Sequence, residues 1–167
     1  MERDNRGLSL VEMIIVIAIL AVVSGIVVMG IGVAVSKPAE ECARKIQQSL
    51  EGARVYTMGK QKLSLKYYVD DGCVYVQETA VAADGTVTTK TPVKIGAKGV
   101  KVTYVLEGGA GYTDLAVTPL TLSFDRATGG FSKTECTPGF SSEIKVEKGS
   151  KVMKVTLYSL TGKVTVE

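Results

Sequence analysis

Apolar and polar positions change rhythm twice along this chain. From Met13 to Val35, 23 consecutive residues carry no charged side chain, and the apolar positions are continuous rather than spaced. A helix of that length rises roughly 35 Å, against a hydrocarbon core of about 30 Å, so the run predicts a membrane-spanning helix. Its many β-branched residues suit a solvent that leaves the backbone no hydrogen-bond partner but itself. After Ser36-Lys37-Pro38 the apolar positions become periodic. Cys42, Ile46, Leu50, Ala53 and Thr57 recur at three- and four-residue steps, while Glu40, Glu41, Arg44, Lys45, Gln48 and Glu51 hold the other face. That pattern predicts an amphipathic helix with Pro38 in its first turn and an end near Gly59.

From Lys62 the period falls to two. LSLKYYV, CVYVQETA, VTTKTPVKI, KVTYVL, LTLSFD, EIKVE, KVMKVTLYSL and KVTVE are separated by turn residues such as Asp70-Asp71-Gly72, Asp84-Gly85 and Thr161-Gly162. Seven or eight strands are expected, forming an antiparallel sheet over the second half of the helix. The predicted fold class is α+β: a long N-terminal helix, transmembrane half plus amphipathic half, packed on an antiparallel β-sheet head. Gly25, Gly30 and Gly32 fall in or at the end of the apolar run. They suit close packing between helices, as with Ala21 and Gly25 at four-residue spacing, and equally a helix that unwinds there.

At 167 residues the chain has room for one such span and one domain of ordinary size. It contains no histidine, which excludes imidazole metal ligands and histidine-based triads. Cys42, Cys73 and Cys136 lack C-x-x-C spacing, so no metal site, cofactor or enzymatic activity is expected. Asp70-Asp71 is read as hairpin chemistry rather than an acid pair. Cys42 falls on the apolar stripe and is expected to pack as a small hydrophobe. Cys73 and Cys136 could form a disulfide in an extracytoplasmic head, although an odd total favours a free thiol or a reducing habitat. The formal charge is +3, with Lys145, Lys148, Lys151, Lys154 and Lys163 in the last strands. These lysines could meet DNA phosphates. The interspersed Glu143, Glu147 and Glu167 favour the plainer reading, in which lysines guard exposed strand edges and keep the surface soluble.

One residue resists these assignments. Glu12 is an acid at the threshold of the apolar run, and an ionised carboxylate in hydrocarbon costs several kcal/mol unless it has a partner or a task. A secretory signal peptide would have a basic n-region and a shorter apolar core, whereas MERDNRG balances Glu2 and Asp4 against Arg3 and Arg6. A plain signal anchor fits the length but gives Glu12 no role, and the flanking positive charges leave orientation undecided.

Gly7-Leu8-Ser9-Leu10-Val11-Glu12, followed by the apolar run, resembles the cleavage and methylation signal of type IV pilins and pseudopilins. The resemblance implies a leader at 1–7, a transmembrane and assembly helix at 8–36, its amphipathic second half at 37–60 and a β head at 61–167. It implies that a prepilin peptidase cuts between Gly7 and Leu8, methylates the amine of Leu8, and leaves Glu12 at the fifth mature position. There it would pair with the freed amine of a neighbouring subunit, neutralising both charges in a low-dielectric bundle. The family most often has Phe and Thr where this chain has Leu8 and Ser9, which leaves the extent of methylation open.

The helix text ECARKIQQSLEGARVYTMGKQKLSLKYYV, the strand-turn LTLSFDRATGGF and the terminal VTLYSLTGKVTVE are similar to GspH/FimT-type minor pseudopilins. The implied partners are other pilin-like subunits, prepilin peptidase, the membrane and the platform proteins of a pilus or secretion machine. The implied location is the cytoplasmic membrane with the head outside, moving into a filament. The rival reading is a monomeric membrane-tethered binding or enzymatic domain.

Overall fold

The computed structural model describes residues 10–59 and 61–167, except for the side chains of 22–36. A single helix, α1 (Leu10–Gly59), carries both the apolar run and the amphipathic stripe, with Pro38 inside it. By compactness the chain divides between Val35 and Ser36.

In the second unit, α1 from Ser36 onward buries the expected stripe. Ala39, Cys42, Ala43, Ile46, Leu50, Ala53 and Thr57 are each at most 2 % exposed. The strands are β1 (Lys62–Asp70), β2 (Cys73–Val81), β3 (Val87–Thr89), β4 (Val93–Gly96), β5 (Lys101–Leu106), β6 (Thr113–Asp114), β7 (Leu120–Ser123), β8 (Ser141–Lys148), β9 (Lys151–Leu157) and β10 (Val164–Val166). These ten strands among the described residues exceed the seven or eight expected, and they form two sheets rather than one.

The first sheet runs β3-β2-β1-β7, with β4 also on β2, and the second runs β10-β9-β8-β5-β6. Part of the excess has a clear cause. VTTKTPVKI was expected to be one strand, but Pro92 cannot donate to a ladder. The run breaks there into β3 and β4, which take successive parts of one edge of β2: Thr79–Val81 with β3, Val74–Val76 with β4.

The β1–β2 hairpin is closed by Asp71 and Gly72, both at positive φ, 44° and 68°, as a two-residue loop matched to strand twist requires. Alternation along β1 then turns Leu63, Leu65 and Tyr67 inward. From the second sheet Val102, Tyr104, Ile144, Val146, Val155 and Leu157 join the same core. The helix reaches both sheets: Ser49 Oγ lies 2.7 Å from the Tyr67 hydroxyl, and Gln47 Nε2 donates to the Val164 carbonyl at 3.3 Å. The chain's three phenylalanines meet in series with tilted rings, Phe124–Phe131 centroids at 4.4 Å and Phe131–Phe140 at 5.1 Å.

Candidate functional site

Glu12 lies in the first turn of α1 and is exposed. A carboxylate there is favoured by the helix dipole by about 0.3–1 kcal/mol, which is small beside the cost of hydrocarbon around it. The described residues that flank it in the helix are apolar. Leu10, Val11, Met13, Ile14, Ile15, Val16 and Ile17 are all about half exposed or more, from 49 % to 76 %. Consecutive positions point in all directions around a helix, so this segment has no polar face to turn to water. A helix of this kind is covered by lipid or by other chains. Gly7 and Leu8, the expected cleavage and methylation positions, lie outside the described residues. Among the described residues no helix is long and apolar enough to cross a membrane. The expected span, 13–35, includes 22–35, whose side chains fall outside that description.

At the other end of the helix the structure assembles a junction that spacing alone did not reveal. Arg54 Nε donates to the Gly129 carbonyl at 3.0 Å. A Cβ on Gly162 would overlap the Gly129 carbonyl oxygen and come within 3.0 Å of Arg54 Nε, and one on Gly130 would stand 2.7 Å from the Leu160 carbonyl oxygen. Gly129 and Gly162 are at φ 68° and 64°, a region glycine reaches without penalty. The C-terminal part of α1, through the Arg54 side chain, therefore interlocks with the backbone of the Phe124–Phe131 turn and of the final hairpin. The signal was present as Arg54, the Gly129-Gly130 pair and Gly162, scattered over more than a hundred residues.

The lysines are brought together with acids. Lys145 pairs with Glu147 at 2.6 Å along β8, and Lys154 of β9 pairs with Glu143 of β8 at 2.7 Å. Tyr112 donates to Glu143 at 2.6 Å. The Lys154 and Tyr112 hydrogen bonds hold the Glu143 carboxyl below its usual range despite partial burial. Lys148 lies at the β8–β9 turn opposite Lys151, and Lys163 stands apart beside Gly162. The five do not form one uninterrupted basic face.

Cys73 and Cys136 are free and buried, as is Cys42. Cys73 sits opposite Asp70 at one end of β1, whereas Cys136 Sγ lies 4.0 Å from the carbonyl of Ser123, which faces Ser64. Six residues of strand separate those ends, about 20 Å, and a disulfide needs Cα atoms within about 7 Å. The fold keeps the two thiols apart. Burial pushes the Cys42 thiol up to about 12, opposed by Lys45, and raises that of Cys136.

A cleft of about 300 Å³ is lined in part by Lys62, Asp125, Arg126 and Glu135. Three of its charged groups are engaged structurally: Lys62 pairs with Glu135, and Asp125 accepts from the amides of Ala127 and Thr128. Those bonds, led by Thr128, hold the Asp125 carboxyl below its usual range. No group of three or more His, Cys, Asp or Glu able to hold a metal occurs among the described residues.

Residues 3–28 match the prokaryotic N-terminal methylation motif. The matched segment contains Gly7, Leu8 and Glu12, and it supports a type IV pilin-like family for the chain. No curated protein and no solved structure matches significantly.

Proposed function

We propose that the chain is a minor pilin or pseudopilin, a structural subunit without catalytic activity. Prepilin peptidase removes residues 1–7, the apolar run anchors the chain in the cytoplasmic membrane with its head outside, and the helix then carries it into a type IV pilus, competence pilus or secretion-type filament. The observation that carries this reading is the methylation motif laid over a helix whose residues 10–21 are exposed and apolar around the one carboxylate, Glu12. Such a helix needs neighbours, and a carboxylate enclosed among them is stabilised by a cation. The freed amine of Leu8 on an adjacent subunit provides one, and it exists only after cleavage. The interlock of Arg54, Gly129 and Gly162 supports a head of the GspH/FimT type, because the three fragments similar to that group meet there.

The test is the intact mass of the chain from its native membranes with N-terminal peptide mapping. A chain starting at Leu8, with or without one methyl group, is the expected result. A chain still starting at Met1 in cells with active prepilin peptidase would overturn the reading and favour a tethered monomer.

A further inference from the structure

One end of the head gathers lysines from separate parts of the sequence. The segment Lys94 to Ala97 lines a groove with Pro38, Glu41 and Lys45 of α1. Lys98 follows and pairs with Asp71 of the β1–β2 turn at 3.0 Å. Lys148 donates to the Lys98 carbonyl at 2.7 Å, and Lys151 faces Lys148 across the β8–β9 turn. Lys37, Lys94, Lys98 and Lys151 are exposed and Lys148 is half-buried. The carboxylates beside them are Glu40, Glu41, Asp70, Asp71 and Glu147; Glu40 is paired with Arg44 and Glu147 with Lys145, so with Lys45 at the groove the cations remain in excess. This is also the end at which the chain arrives from the apolar run, since Lys37 is the second residue after Val35.

We propose that this end of the head, through Lys37, Lys94, Lys98, Lys148 and Lys151, docks on the anionic surface of the bilayer that holds the apolar run. The inference rests on the membrane reading given above and adds a partner to it. The bilayer is favoured over other polyanions by attachment: a span ending at Val35 holds this end at the headgroups, inside the roughly 10 Å over which surface charge acts at 0.1 M salt. Lysines near an anionic leaflet are attracted individually. Docking would hold the subunit upright on the membrane before it joins a filament, and it would have to be released on extraction.

The experiment uses the full chain reconstituted in phosphatidylcholine vesicles, with or without phosphatidylglycerol. Each lysine's acylation rate is read by mass spectrometry with a small uncharged reagent. The five lysines are expected to react about fivefold more slowly on the anionic vesicles and to recover at about 1 M salt. Lys62, Lys133 and Lys163, at the opposite end, should not change. The triple variant Lys98→Gln, Lys148→Gln, Lys151→Gln should abolish the slowing at Lys94 and leave that at Lys37, which the span alone holds at the headgroups. Equal rates in both lipids, with the chain resistant to alkaline extraction, would overturn the docking and leave the span intact. Release by alkaline extraction would overturn the span and the docking together. Protection by duplex DNA on neutral vesicles would assign the surface to nucleic acid instead.

Discussion

Gly162 and Gly85 form a matched pair for testing whether the helix–turn–hairpin junction is rigid backbone packing. Both are at positive φ, 64° and 84°, so an alanine at either costs about 1–2 kcal/mol for the left-handed conformation. They differ in surroundings. Nothing lies within 4 Å of a Cβ on Gly85, whereas one on Gly162 meets the Gly129 carbonyl oxygen and the Arg54 side chain. Gly162→Ala must displace that carbonyl and weaken its hydrogen bond from Arg54, worth about 1.5–3 kcal/mol for a charged donor. Gly85→Ala should therefore lose about 1–2 kcal/mol and Gly162→Ala about 2 kcal/mol more. With a urea slope near 2 kcal/mol/M, the midpoints should lie about 1 M apart. The chain has no tryptophan and seven tyrosines, so urea titration of the detergent-solubilised chain can be followed by tyrosine fluorescence. Midpoints within about 0.3 M would show that the junction yields without strain, and the interlock argument would fail.

Glu12→Ala should leave cleavage after Gly7 and membrane insertion intact yet reduce incorporation into filaments, measured by the variant's share in sheared filaments; undiminished incorporation would sink the pairing argument. In native protein at pH 8, Cys42 and Cys136 should resist iodoacetamide and become labelled only in denaturant, because burial raises both thiols. The folded state therefore holds these protons more tightly than the unfolded state does. This contribution to stability is complete below the unfolded thiol pKa near 8.5 and, for Cys42, is lost as pH rises towards about 12. Alkaline unfolding should be shallower for Cys42→Ala, and an unchanged profile would exclude Cys42 as a contributor. Electrophoretic mobility should not change on reduction, since the fold separates Cys73 from Cys136.

What the sequence made legible follows from the range of the interactions. The buried stripe from Cys42 to Thr57 was readable because helical periodicity is local, and the Asp71-Gly72 turn because positive φ has few chemical solutions. Periodicity of two placed Leu63, Leu65 and Tyr67 inward but carried no information on which strands pair. The division into two sheets depends on contacts such as β5 with β8, whose partners are about forty residues apart. Cysteine spacing was silent for the same reason. Whether Cys73 meets Cys136 is decided by which end of β1 each one neighbours, a property of register rather than composition.

Glu12 shows the opposite case, a proposed assembly residue more legible in sequence than in the isolated fold. Its anomaly is chemical, an acid at the threshold of 23 uncharged residues, and needs no coordinates to be seen. In the structure its neighbours 13–17 expose roughly half or more of their surface. Within a single copy, therefore, the fold builds no core around this segment. Burial of about 25 cal/mol per Å² of apolar surface is withheld in that state, and it becomes available only when lipid or other helices surround the segment. The head, by contrast, completes its own core from Ala39 to Val164. One chain thus combines a domain that is folded to satisfaction with a helix that is not, and that imbalance is the physical basis for reading it as a part made to assemble.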